Sequence, residues 1–307
     1  MYTIRPVLNV RRAMVETDVT LSTGYTMPTL GLGVYMNDEC AEACKVALQN
    51  DYRMIDSARF YENEAQVGVG IRGSGVKRED IFISELIDWT PGIDQGLFTY
   101  LTPLAASKVF HTDFTYDHTK AAVKDSIANL GYSYYDLYLT HSAVGGKTAR
   151  LAAYKALLDA KADGLIRSVG VSNYSAKHIE EIREAGLEMP AVNQIELHPF
   201  CQQKPIVEYC NKHNIVVQAY SPLLRGALDN PIIQKLAKKY SKDGAQILIR
   251  WSLQRGFVPL PKSSQPQRII SNNLVFDWNI EPMDMAKLDA LDRGKEGAVT
   301  WNPVDVD

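Results

Sequence analysis

Residues 53–68 read RMIDSARFYENEAQVG, a short apolar strand that ends in polar residues and runs into a helix. Met54 and Ile55 form the strand body, Asp56 stands at its carboxyl end, and Tyr61 follows just ahead of a helical run from Asn63. A carboxylate and a phenol at the mouth of a buried strand contribute little as packing. They make sense as parts of an acid catalyst, because a phenol with a free pKa of ~10 needs charged neighbours before it gives up a proton easily near neutrality.

The same strand-then-helix alternation continues outward in both directions, which argues for βα units and a parallel sheet. Expected strands cover 29–33, 53–58, 81–84, 136–141, 166–173, 191–198, 215–221 and 258–263. Between them lie helical patterns at 39–49, 63–71, 119–130, 149–162, 176–185, 204–212 and 230–255, the last broken near Asp243-Gly244. Further helices at 265–272 and 284–291 close the chain. Eight such repeats without a linker predict a (β/α)8 TIM barrel, read as one domain over 1–307. The opening VTLSTGYTMPTLGLG (19–33) predicts an N-terminal β-hairpin turning at Thr23-Gly24 and able to cap the bottom of the barrel.

Composition narrows the function classes. With 307 residues, 46% of them hydrophobic, the chain can bury one large core. A net charge of -3 carries no basic footprint for nucleic acid. No apolar run approaches the roughly 20 residues that span a bilayer. Cys40, Cys44, Cys201 and Cys210 lack zinc-like pairing with histidines, so no metal is expected, and reduced thiols in the cytoplasm are the plain reading. Arg5, Arg11 and Arg12 occur in the first fifteen residues without an acid, but serines and clear amphipathicity are too few for a presequence. Residues 1–17 are therefore read as a loose tail or a mis-set start.

Barrel enzymes gather their chemistry at the carboxyl ends of the strands. Here those ends carry Asp56, His141, Ser172-Asn173, Gln194, Tyr220-Ser221 and Lys262-Ser263. Taken singly, each is more simply a satisfied core polar group or a cap. Their recurrence at six strand ends favours a site. His141, in DLYLTHS, is placed to bind a carbonyl oxygen beside the acid formed by Asp56 and Tyr61.

These motifs resemble the aldo-keto reductase family from about residue 18 to 301. The resemblance implies that Asp56 supports a proton-donating Tyr61 and that His141 orients the substrate carbonyl. It implies that Ser172, Asn173 and Gln194 bind the nicotinamide carboxamide and that Tyr220, in QAYSPLLRG, stacks on the nicotinamide ring. Ser221 and Leu223 then match contacts to the pyrophosphate. In PLPKSSQPQRIISNN, Lys262, Ser263 and Arg268 match residues that hold a 2′-phosphate, and Asn272 matches one that meets adenine. Two cations converging on a phosphate favour NADPH/NADP+, with NADH weaker. No G-x-G-x-x-G fingerprint competes with this reading. The expected partner is a small-molecule carbonyl substrate, with no nucleic acid and no membrane, and the expected state is a monomer. Departures from the family, among them Tyr35 for a tryptophan and Ser142-Ala143 for an aromatic and a proline, bear on substrate range.

The largest departure is in the third barrel strand. The family's catalytic lysine should close it, yet Ile81-Phe82-Ile83-Ser84 is followed by Glu85. Removing ELIDWTPGIDQGLFTYLTPLAA (85–106) would join Ser84 to Ser107-Lys108 and restore the pattern, which makes Lys108 the expected lysine. Either Ser84 and Ser107 meet as neighbours, or the insert continues the strand and displaces Lys108. Serine and glutamate codons can spell GTGAG, a common intron start, so a translated intron or gene-model error is preferred to an active-site lid. The alternative function is a nicotinamide-binding barrel with little catalysis, regulatory or inactive through that displacement.

Overall fold

The computed structural model describes residues 16–87 and 115–307. Its first element is the expected hairpin, β1 (Asp18–Thr20) against β2 (Thr26–Pro28). Gly24 takes φ +85 in the turn, a left-handed value that glycine adopts without strain. The hairpin plugs the bottom of the sheet: Met27 is fully buried, and Thr23 Oγ lies 2.7 Å from Ser168 Oγ. Glu16 and Thr17, expected in the tail, already pair through their carbonyls with Thr29.

Eight parallel strands follow in sequence order: β3 (Leu32–Gly33), β4 (Met54–Ala58), β5 (Phe82–Ile87), β6 (Tyr135–Thr140), β7 (Ile166–Ser172), β8 (Val192–Glu196), β9 (Val216–Tyr220) and β10 (Val258–Pro259). The curled sheet meets itself where Gly31 and Gly33 donate their amides to the carbonyls of Pro259 and Pro261 at 3.2 and 3.1 Å. A Cβ on Gly33 would lie 3.1 Å from the Leu260 carbonyl, so the seam wants a residue without one.

Alternation along the strands builds two cores. Met54, Ala58, Phe82, Leu86, Leu137, Leu139 and Val192 pack inside the barrel. Ile55, Ile83, Ile87, Tyr135 and Tyr138 face the helices. Those helices include α1 (Cys40–Gln49), α2 (Glu64–Ser74), α3 (Tyr116–Leu130) and α4 (Gly146–Ala162). The expected break near Asp243-Gly244 separates Pro231–Tyr240 from Gly244–Gln254, where Asp243 and Gln246 cap each other reciprocally. The helix expected from 119 begins at Tyr116, because Thr115 accepts from the His118 amide at 3.2 Å.

One strand is longer than expected. Strand β5 does not stop at Ser84 but runs through Glu85, Leu86 and Ile87, pairing with Ser57 and Ala58 on one side and Tyr138, Leu139 and Thr140 on the other. Burying Leu86 and Ile87 contributes about 1.5–3 kcal/mol each, against about 1–2 kcal/mol per residue of backbone ordering. Of the two geometries open to the insert, its first residues take the one that continues the strand. Residues 88–106 and Lys108 lie outside the described residues.

Candidate active site

Asp56 sits in the middle of β4, faces the barrel interior and is almost fully buried. Its Oδ1 accepts from Ser84 Oγ at 2.6 Å and from Gln194 Nε2 at 3.0 Å. Burial pushes the carboxyl up to about 6, while those two hydrogen bonds and the charge of His141 pull it back down. Five residues on, Tyr61 ends a short 3-10 turn, Arg59–Tyr61, that carries the chain off the strand. Asn63 fixes this turn by accepting from Ser57 Oγ and donating to the Val34 carbonyl, both at 2.9 Å. The Tyr61 ring meets His141 edge-on with centroids 6.3 Å apart, and Tyr35 edge-on at 5.0 Å. The phenol and imidazole expected to flank a carbonyl oxygen are therefore neighbours.

A second network runs behind them. Asn173 adopts φ +59, a strained conformation outside glycine, at the end of β7. Its amide donates to the His141 carbonyl at 3.1 Å and to Ser172 Oγ at 3.2 Å, and its Oδ1 accepts from Tyr220 OH at 3.0 Å. Ser172 Oγ donates to the Gln194 carbonyl at 2.8 Å. Gln194 donates its two side-chain amide hydrogens to Asp56 Oδ1 and Gln218 Oε1, both at 3.0 Å. Hydrogen bonds thus bring Ser172, Asn173, Gln194 and Tyr220 together beside His141.

The chain leaves Tyr220 through Ser221, also left-handed at φ +49, and half-buried Leu223. Farther round, Lys262 stands at the seam, bridged to Gly33. Ser263 is buried, and its Oγ accepts from the Gln265 amide at 3.1 Å, turning the chain into helix Pro266–Asn273, which carries exposed Arg268 and buried Asn272. Among the described residues neither Lys262 nor Arg268 has an ion-pair partner, so both charges are available to an anion. That donor set suits a phosphate monoester better than a hydroxyl.

Comparison with known proteins decides the family. Residues 21–293 match the aldo/keto reductase family. The chain belongs to it. Glyoxal reductase of Bacillus subtilis is 39% identical over 289 residues, covering 93% of this chain and 95% of that one. Morphine 6-dehydrogenase of Pseudomonas putida is 35% identical over 305 residues, covering 94% and 95%. A Bombyx mori aldo-keto reductase solved in complex with NADP superposes with a TM-score of 0.77 at 30% identity, covering 92% of this chain and 94% of that one. This aldo-keto reductase is an oxidoreductase that acts on carbonyl compounds by hydride transfer, in a family that uses NADP(H).

Two features of the reductase site escaped the sequence reading. Ser84 was seen only as the last residue of a strand, yet the pairing Asp56↔Ser84 brings its hydroxyl onto the carboxylate. Leu86, two residues on and facing inward beside Ala58, fills the interior position at which the family pattern has lysine. Glu85 points the other way, into the helix layer, where after burial itself its charge helps push the Tyr135 and Tyr138 phenols up. No helix among the described residues is long and apolar enough to cross a membrane.

Proposed function

We propose that this aldo-keto reductase reduces small aldehydes and ketones with NADPH in preference to NADH, using Tyr61 as proton donor, His141 to orient the carbonyl oxygen and Asp56 to support the acid. The observation that carries the reading is the edge-on meeting of Tyr61 and His141 beside buried Asp56. NADPH, when bound, supplies the hydride. As the carbonyl carbon gains it, the former π electrons move onto oxygen, and the Tyr61 proton passes to that oxygen as the imidazole holds it in place. Ser172, Asn173, Gln194 and Tyr220 are read as the nicotinamide's holders, with Ser221 and Leu223 on the pyrophosphate. Lys262, Ser263 and Arg268 are assigned to the 2′-phosphate and Asn272 to adenine.

Lys108 is the ammonium assigned to lower the Tyr61 pKa. Incubating the full chain with NADPH and a reactive aromatic aldehyde tests the proposal through loss of cofactor absorbance. No loss with tight NADPH binding would support a second reading, in which the full-length chain binds cofactor but turns over slowly. That reading is favoured by Leu86 on the interior face where an ammonium belongs. The cytoplasmic location and monomeric state expected from the sequence remain part of the proposal. Four free, buried thiols support the first, and sedimentation tests the second.

A further inference from the structure

Glu196 is the last residue of β8, two positions beyond Gln194, and its side chain is wholly buried. A buried carboxylate is costly unless donors surround it. Four do so here. Oε1 accepts from the Val299 amide at 2.5 Å and from His198 Nε2 at 2.9 Å, while Oε2 accepts from the Thr300 amide at 3.1 Å and from the Thr300 hydroxyl. Three of the four come from a segment more than a hundred residues away in sequence.

The next residue brings that segment to the cofactor side of the site. The Trp301 carbonyl lies 3.4 Å from Tyr220 OH, whose hydrogen bond goes to Asn173, which in turn holds the His141 carbonyl. The far end is tied as well. Ser175 donates its amide to His178 Nδ1, so Nε2 carries the proton and donates to the Val306 carbonyl at 2.8 Å. Arg150 contacts the Asp307 carbonyl at 3.1 Å and the Ala143 carbonyl, two residues past His141, at 2.6 Å. Residues 299–307 therefore form a strap anchored at both ends, passing beside Tyr220.

We infer that Glu196 is a positioning residue: through Val299 and Thr300 its carboxylate fixes the strap against Tyr220 and so sets the ring that receives the nicotinamide. The inference rests on the proposed stacking role of Tyr220. Because the nicotinamide is common to both cofactors, loss of the tether should weaken NADPH and NADH alike. Lys262 and Arg268, by contrast, should set the ratio between them.

The test uses the full chain with Glu196→Gln, an isosteric change that turns two acceptor oxygens into one and points an amide at former donors. Hydrogen exchange at Val299 and Thr300 should accelerate, and Kd for NADPH and for NADH should each rise about tenfold at an unchanged ratio, as for loss of charge-assisted hydrogen bonds. Glu196→Asp, which keeps the charge, should recover part of both. Unchanged exchange, unchanged cofactor affinity despite faster exchange, or a loss confined to NADPH would each overturn the inference. Should Glu196→Gln fail to fold, Thr300→Val removes one donor only and should raise both Kd values about threefold; no change there overturns it equally. Tyr220→Ala separates the two levels: wild-type affinity in that variant defeats the stacking role. Weakened binding there beside intact binding in Glu196→Gln defeats the tether alone.

Discussion

Strands β4 and β5 lie side by side in register, yet they end differently. Both carry a polar residue at the paired interior position, Asp56 against Ser84, and both return to packing with Ala58 against Leu86. Strand β4 then closes on a small residue and leads to Tyr61, whereas β5 closes on bulky Leu86 and Ile87. The first offers a carboxylate wanting a cation. The second, within the described residues, offers a hydroxyl and a hydrocarbon. Burial raises the Asp56 carboxyl to about 6, against the pull of the Ser84 and Gln194 hydrogen bonds and the charge of His141.

The sharpest way to break this comparison is at the acid end. Tyr61→Phe keeps the ring against Tyr35 and His141 but removes the proton, so reduction should fall by the ~10²–10⁴-fold of lost acid catalysis. Cofactor affinity, read by fluorescence titration, should stay put; normal turnover would remove Tyr61 from the mechanism.

The second test changes the other strand. Deleting residues 85–106 joins Ser84 to Ser107-Lys108 and brings an ammonium to the end of β5. If the insert is a translated intron, turnover should rise by on the order of 10²-fold, and the melting temperature should rise with it. A full-length chain that outperforms the shortened one would establish a lid and sink the intron reading.

Third, the cofactor arm should be indifferent to how β5 ends. Alanine at Lys262 and Arg268 together should cost NADPH roughly 1.5–3 kcal/mol per contact while leaving NADH nearly untouched, measured as paired dissociation constants. Equal losses would place these cations elsewhere.

The last expected effect is on stability. Asp56 is raised above its ordinary 3.8 to about 6 in the folded chain, so the folded state keeps a proton that the unfolded state releases. Stability from this group is greatest below pH ~4, falls as pH rises through that window, and by pH ~7 has dropped by about 3 kcal/mol. Asp56→Asn removes that slope and should be the more stable protein at pH 7, though a poor enzyme. Urea melts of both proteins at pH 4, 5, 6 and 7 check it, and parallel pH profiles would show that Asp56 does not titrate in this range.

The eight strands were legible because each buries an apolar run flanked by turn residues, and the break at Asp243-Gly244 because an Asp with Gln three residues on signals a new helix start. The continuation of β5 was not legible. Three residues are too short for a period to show, and Glu85 reads as polar until its inward neighbours Ser84 and Leu86 reveal which face it serves. Candidate site residues near strand ends were picked out by their types. Their contacts were not: Gln194 reaches Asp56 across 138 positions, and Glu196 reaches Val299 across 103, separations no local pattern encodes.

The seam between the first and last barrel strands has a bearing on synthesis. Pro259 and Pro261 have no amide hydrogen, so the join rests on glycine amides reaching across to proline carbonyls, and it is completed where Gly33 meets Lys262. A ribosome releases Leu32 and Gly33 long before it makes their partners. Until residue 262 emerges, the growing sheet has an open edge of the kind that invites pairing with other chains. The last strand thus shields the first as well as finishing the ring, and chains halted before it should be the ones that aggregate.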